Sequence, residues 1–482
     1  MKTTWSLIFC FIFFAAQGQP LASDSIFAVP DTAHSFTLGD FYKIMIQNHP
    51  VARQAAMLSD AAKQEIRLAR GNFDPRLESQ FDLKQYNNTT YYQLFNSSLK
   101  LPTQSPISPI AGVQHNEGKY LNPENYIDEG SNFNQTYLGF LIPLGRGLLT
   151  DERRIAIKQA EVFGDLMEAE QIKIINKLLL DAAKDYWQWY YSYYNYRAAL
   201  NTTKIGEEIF RRVKLNFEGG EASPTDTVQA KITLLERQVS QQEAFAEWKN
   251  STLKVSTYLW DSLVNPVDLP MKFAPVADPS TGVLSQKSLE ELTNNARISH
   301  PELQKLDLKL QQLELDKRLA REYMKPKLDV TYYLLNQPFN PVEHAPSINL
   351  TDNYKLGVDF AIPLFLRKER AKLSQIKLKL ASTNYERDLA TRQIMNDINT
   401  AYNSLLSNGL IVQQQTSMVE NYFRLMNAEL INLDNGESDL FKINVQQEKL
   451  FQAQSKLIKV IAEYEKQKAV LCWAAAVNPL IK

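Results

Sequence analysis

Seventy consecutive residues, Leu148 to Phe217, contain no proline, and they are bounded by Pro143 before and by Gly219, Gly220 and Pro224 after. As one α-helix at about 1.5 Å per residue this stretch is roughly 105 Å long, more than three times the diameter of a small domain. A globular core has no use for such a rod. A second rod follows: Pro363 opens another proline-free stretch, and Leu366 to Leu433 gives 68 residues before Asn435-Gly436.

The rods occupy equivalent places in an internal repeat. Asn48-His49-Pro50 matches Ser299-His300-Pro301 at an offset of 251 residues, and Phe73-Asp74-Pro75 matches Met324-Lys325-Pro326 at the same offset. Ile142-Pro143-Leu144 matches Ile362-Pro363-Leu364 at 220, and Gly220-Glu221 matches Gly436-Glu437 at 216. The falling offset places about 31 additional residues in the first half between Pro75 and Pro143. The expected organisation is a signal segment at 1–18, a first repeat at 19–262, a connector at 263–288 and a second repeat with the C-terminal segment at 289–482. The signal reading rests on Lys2, the apolar run Leu7 to Ala16 and the small-residue site Ala16-Gln17-Gly18. Its removal leaves Cys472 as the single cysteine, so no internal disulfide is expected. The connector holds Pro266, Pro270, Pro275 and Pro279.

Between the helical stretches the hydrophobic period changes from helical to two. Leu77, Phe81 and Leu83 alternate with Glu78, Gln80, Asp82 and Lys84, and Leu138, Phe140 and Ile142 precede the first rod. In the second half Leu328, Val330, Tyr332 and Leu334 oppose Asp329 and Thr331, while Leu356, Val358, Phe360 and Ile362 oppose Lys355 and Asp359. Each half is thus expected to hold one antiparallel strand pair with an apolar and a polar face. That pattern fits a half-buried strand on a soluble core, and equally a membrane barrel with lipid on one side and water on the other. Four strands cannot close a barrel and open edges are not tolerated in lipid, so the second reading requires oligomerisation. The Pro-, Asn- and Gly-rich stretch 102–131 reads as a surface loop. No later segment has the eighteen apolar residues of a spanning helix.

Heptad spacing gives the rods partners. Val412, Thr416, Val419, Phe423, Met426, Leu430 and Leu433 form a coiled-coil seam, and Val228, Ile232, Leu235 and Val239 repeat the rhythm on the first return helix. Each rod is expected to turn at Gly219-Gly220 or Gly436 and run back as an antiparallel hairpin.

Together these features resemble the outer-membrane efflux protein family, the channel-tunnels of the TolC type. The motifs that carry the resemblance are Gly220-Glu221-Ala222-Ser223-Pro224-Thr225-Asp226 with Ala230-Lys231, Gly436-Glu437-Ser438 with Leu440-Phe441 and Asn444, and the two Ile-Pro-Leu junctions. The fold class implied is mainly α with β: a long antiparallel coiled-coil α-barrel, with each chain giving four strands to a trimeric twelve-stranded transmembrane β-barrel. The implied partners are two further copies of the chain, outer-membrane lipid, a periplasmic adaptor protein and an inner-membrane pump. The implied gate and adaptor contact comprises Gly219, Gly220, Glu221, Asp226, Gly436, Glu437, Asp439, Lys442 and Asn444. Asp226 stands where the family has an acidic tip residue; Lys442 stands at the second such position and departs from the pattern, with Glu437 or Asp439 as replacements. The same acids also read as ordinary helix-start residues.

Other chemistry finds little support. With 53 basic and 54 acidic residues the net charge is −1, which gives no field for nucleic acid. The five histidines are scattered without metal spacing, and no phosphate loop, nucleophile elbow or paired carboxylate site is present, so no catalytic, cofactor or metal residue is expected. The aromatic run Trp187, Trp189, Tyr190, Tyr191, Tyr193, Tyr194 and Tyr196 reads as packing against the connector and C-terminus rather than as a ligand-stacking site. Transport energy must then come from a partner. Two other functions fit the same residues: a duct for type I protein secretion, and a soluble periplasmic coiled-coil scaffold.

Overall fold

The computed structural model describes residue 27 and residues 33–118, 133–220, 223–277, 286–336, 353–435 and 437–477. The expected signal segment, Glu221 and Gly436 lie outside the described residues. In chain order the elements are β1 (His34–Thr37), α1 (Leu38–Asn48), α2 (Pro50–Arg70), β2 (Arg76–Tyr86), β3 (Thr89–Lys100), β4 (Ser108–Glu117), β5 (Phe133–Pro143), α3 (Glu152–Glu218), α4 (Pro224–Ser256), β6 (Phe273–Val276), α5 (Gln286–Ser299), α6 (Pro301–Glu322), β7 (Lys327–Leu335), β8 (Tyr354–Ala361), α7 (Arg367–Asp434) and α8 (Leu440–Ala474). The two rods are α3 and α7, of 67 and 68 residues. No described helix is long and apolar enough to cross a membrane.

The duplication shows in backbone detail. Pro50 and Pro301 each open a helix, as a residue without an N–H can at a first turn, and each forces the preceding histidine into extended backbone. His49 Nδ1 accepts the N–H of Val51 at 3.2 Å, and His300 Nδ1 accepts that of Glu302 at 3.2 Å. These histidines are helix caps.

The chain divides into two compact units. One comprises Arg53–Ile175 and Leu292–Asn396 and contains a six-stranded antiparallel sheet of order β2-β3-β4-β5-β7-β8. The four expected strands are present as β2, β5, β7 and β8, but the count of four per chain is corrected to six. β3 and β4 stand between β2 and β5, so β2 pairs with β3 rather than with β5, and part of the expected 102–131 loop is β4. Residues 119–132 of that loop lie outside the described residues. The β2–β3 hairpin closes through Asn87 and Asn88, both at positive φ (49° and 57°), the two-residue geometry that matches strand twist.

Register gives the sheet two chemically distinct faces. Leu77 lies opposite Leu99, Leu99 opposite Ala111, Ala111 opposite Leu138, Leu138 opposite Leu334 and Leu334 opposite Tyr354. Phe81, Leu83, Phe95, Val113, Phe140, Leu356, Val358 and Phe360 extend the same face, and all are exposed. On the other face Lys100 pairs with Glu78 at 2.5 Å, Gln114 donates to Gln135 at 2.6 Å, and Tyr137 crosses Gly112 to donate to Asn96 at 2.9 Å. A Cβ at position 112 would sit 2.4 Å from that tyrosine ring, so only glycine leaves room for the crossing.

The second unit comprises Met1–Ala52, Asn176–Glu291 and Asp397–Lys482. Its core is the aromatic run of α3, packed under a two-stranded parallel sheet of β1 and β6. The Tyr186 hydroxyl donates to the Phe36 carbonyl at 2.7 Å and accepts the Val276 N–H at 3.1 Å; the Tyr194 hydroxyl donates to the Pro275 carbonyl at 3.0 Å. Burial pushes both phenols upward, Tyr194 to about 12. The hydroxyls are used up on strand backbone, which makes this run a structural core against the connector strand.

Candidate functional site at the helical turns

Both turns belong to this second unit. At the first, Gly219 N–H reaches the Leu215 carbonyl at 2.9 Å, and Gly220 adopts φ 81°, the left-handed conformation that ends a helix at little cost for glycine. Ser223 then caps α4 with Pro224 at its first position. Asp226 N–H donates to Ser223 Oγ at 3.3 Å while Ser223 N–H donates to the Asp226 carboxylate at 3.1 Å, a reciprocal capping box. The acidic residue expected at the gate thus spends one carboxylate oxygen on its own helix start and keeps an exposed position.

At the second turn Asn435 N–H bonds to Ile431 O at 3.0 Å and Glu437 N–H to Asn432 O at 2.8 Å. The Ser438 hydroxyl donates to Glu429. Asp439 caps α8 by accepting the Lys442 N–H at 2.9 Å, and the Lys442 side chain is exposed. Glu437 and Asp439 are exposed as well, so this turn carries two acids beside one lysine. Asn444 is half-buried one turn on, its Nδ2 without a hydrogen-bond partner among the described residues. Glu221 and Gly436 complete the expected set outside the described residues.

A shared core holds the turns together. Ile209 and Val213 of α3, Ala230 of α4, Met426 of α7 and Ile443 of α8 form one buried cluster, with Ile205, Phe210, Leu430 and Leu450 against it. Farther along α8, Gln447 is 3% exposed with neither amide atom hydrogen-bonded among the described residues, beside a cleft of about 430 Å³. Sequence reasoning missed this arrangement because each helix contributes only one or two of the cluster's residues.

The seam expected on the first return helix is corrected. Val228, Ile232, Leu235 and Val239 are 48–59% exposed, and α4 instead buries Ala230, Leu234, Arg237, Ala244 and Trp248. The reason is close approach at Gly206 of α3, where a Cβ would meet Arg237 Cδ at 3.2 Å and Leu234 Cδ1 at 3.7 Å. The heptad stripe faces away from its own chain.

No model of a known protein family matches this chain, and no curated protein matches it. Solved structures do. CusC, described in terms of transmembrane channel formation, is similar with a TM-score of 0.66 at 12% identity over 92% of both chains. The outer membrane protein VceC of Vibrio cholerae gives 0.63 at 12% over 92% of this chain and 96% of its own. The open state of the MtrE outer membrane channel of Neisseria gonorrhoeae gives 0.61 at 14% over 91% and 89%. This chain has the TolC-type outer-membrane channel fold. At these identities the likeness is one of fold, and it spans nearly the whole described chain.

Proposed function

We propose that the protein is an outer-membrane channel-tunnel, a passive trans-envelope duct for small molecules in a tripartite efflux or export system. The observation that carries the proposal is the sheet: one face is apolar, exposed on β2 and β8 and on parts of β3, β4 and β5 and half-buried on β7, the other carries hydrogen-bonded polar pairs, and among the described residues its outermost strands have no second partner. A soluble monomer would leave both that face and those edges in water, whereas in a closed oligomeric barrel lipid covers the apolar face, water the polar one, and a neighbouring copy pairs each edge. The exposed stripe on α4 supports assembly with further copies, and a homotrimer is the assembly we assign. The structural neighbours described as outer-membrane channels add support for the same placement.

In this reading the sheet sits in the outer membrane and the rods, each about 100 Å by helical rise, reach into the periplasm. The paired turns around Gly219, Gly220, Glu221 and Asp226, and around Gly436, Glu437, Asp439, Lys442 and Asn444, form the periplasmic gate and the contact for an adaptor bound to an inner-membrane pump. Three copies of Asp226 ring the passage with negative charge, and a Lys442 ring stands near it, so this gate is electrostatically mixed. The chain itself moves nothing against a gradient; the pump supplies the energy.

Cell fractionation tests the proposal. Heat-modifiable trimers in the outer-membrane fraction, with hypersensitivity to toxic small molecules on deletion, are expected. A soluble monomeric mature protein would overturn it in favour of the scaffold. Loss of secreted proteins without drug sensitivity would redirect it to type I secretion.

A further inference from the structure

The sheet carries a consequence for the width of the passage. We infer that β2 of one copy pairs antiparallel with β8 of a second copy, and that three copies close a barrel of eighteen strands rather than twelve. This inference rests on the trimeric channel reading above.

Three observations carry it. First, β3 and β4 span the same height as their neighbours. Register runs from Arg76 to Lys100, Ile110, Gly139, Tyr333 and Lys355 across all six strands, so the additional strands stand inside the wall and not above it. Second, they continue both faces. Leu99, Phe95, Ala111 and Val113 join the apolar side and Lys100, Asn96, Gln114 and Asn116 the polar side, with Tyr92, Leu94 and Ile110 as apolar exceptions on the polar side. A hairpin projecting from the barrel into water would have no use for that alternation.

Third, the two edges fit each other. Among the described residues neither β2 nor β8 has a second partner strand. β2 runs away from the helix α2 that precedes it and β8 runs toward the helix α7 that follows it, so rotation about a common axis brings them together antiparallel. The apolar stripe Leu77, Phe81, Leu83 on β2 meets Tyr354, Leu356, Val358, Phe360 on β8, all of them more than half exposed. The polar stripes carry both signs, with Arg76, Glu78, Asp82 and Lys84 on one edge and Lys355 and Asp359 on the other. Face continuity restricts the pairing to registers in which even-numbered residues of β2 oppose odd-numbered residues of β8, because a one-residue slip would turn every side chain over.

The size follows from geometry. With strands about 4.8 Å apart and tilted by about 40°, eighteen strands give a wall diameter of about 36 Å, and twelve give about 24 Å. The cross-section grows by a factor of about 2.3 on the same scaling. That suits a duct whose outer opening does not restrict bulky cargo.

Electron cryomicroscopy of the full mature protein in lipid nanodiscs measures the wall directly. A threefold particle with a barrel near 36 Å is expected; a threefold particle near 24 Å overturns the strand count while leaving the channel intact, and absence of trimers overturns the channel reading itself. In a Cys472→Ser background, Asp82→Cys on one copy and Lys355→Cys on another should be joined by a short bismaleimide, whose span covers directly opposed and diagonal pairs of about 5–8 Å. Mixed trimers of the two single variants should give a crosslinked dimer band, and its absence counts against the seam. A fluorophore at Val113→Cys should be quenched by spin-labelled lipid, whereas one at Gln114→Cys should be quenched only by aqueous iodide. Aqueous quenching at both sites would remove β4 from the wall.

Discussion

Replacing the groups of the capping box separates what Asp226 does for its helix from what it does for the passage. Ser223→Ala removes the acceptor of the Asp226 N–H and costs about 1 kcal/mol, the usual value of a helix cap. With RT near 0.59 kcal/mol that is about a fivefold rise in local opening of the first turn of α4, read as about fivefold faster amide exchange at Asp226 and Thr227. Asp226→Ala removes the reciprocal acceptor and a negative charge at the positive end of the helix dipole, so its effect should be at least as large. Asp226→Asn keeps an oxygen able to accept the Ser223 N–H and loses only the dipole contribution of about 0.5 kcal/mol, or about twofold in exchange. Ion selectivity in planar bilayers should rank differently. Asp226→Asn and Asp226→Ala should reduce cation preference equally, and Ser223→Ala should leave it unchanged. A Ser223→Ala channel with the selectivity of Asp226→Asn would refute the separation of charge from capping. Unchanged exchange in Asp226→Ala would refute the capping geometry.

Three further outcomes follow. Ile443→Ala empties a fully buried position shared by all four helices at the turns and should cost about 2–5 kcal/mol, measured by chemical denaturation of the helical signal; a cost under about 1 kcal/mol would contradict a common core. Tyr186→Phe strips the Phe36 carbonyl and the Val276 N–H of a buried partner and should lose about 1–3 kcal/mol, seen as lowered thermal stability and faster exchange in β1 and β6. Burial holds the His49 imidazole below its ordinary value, and its Nδ1 must stay unprotonated to accept the Val51 N–H. The unfolded chain therefore binds the proton more readily, so this contribution is present above about pH 6.5 and is lost as pH falls below it. His49→Asn should flatten the pH dependence of melting between about pH 7 and 5; an unchanged slope would assign the acid sensitivity to other groups.

The sequence made the long helices legible because a proline-free run of that length admits few alternatives, and the repeat made them certain by giving the pattern twice. It made β2, β5, β7 and β8 legible because most of their apolar residues keep one parity, with Tyr137, Leu141, Tyr333 and Leu335 among the exceptions. β3 and β4 break that rule. Tyr91, Tyr92, Leu94 and Phe95 put apolar groups on both faces of β3, and Ile110 of β4 lies on the polar side, buried to 5% exposure. The available signal was Asn87-Asn88, two residues tolerant of positive φ between runs rich in Thr, Tyr and Phe. At the turns the caps were readable from Ser223, Asp226 and Asp439, since capping is local chemistry. The core beneath them was legible only in part: Met426 and Leu430 fall on the expected seam of α7, while α3, α4 and α8 bring one or two buried residues each, too few to leave a periodic trace.

The two corrections share a cause. Val228, Ile232, Leu235 and Val239 have the spacing of a buried seam, and β2 and β8 have the alternation of paired strands, yet both surfaces stand open in the single chain. Periodicity states that a face is to be covered and is silent about which chain covers it. Within one chain the place that α4 could offer its heptad stripe is taken, because Gly206 lets α3 approach along Ala230, Leu234 and Arg237 instead. The sheet is in the same position, with every interior edge already paired. On the channel reading proposed above, each surface is covered by a second copy of the chain, which carries the complementary pattern. In that reading a ring meets both demands together, since a face-to-face pair would satisfy β2 against β2 and leave β8 open in each copy.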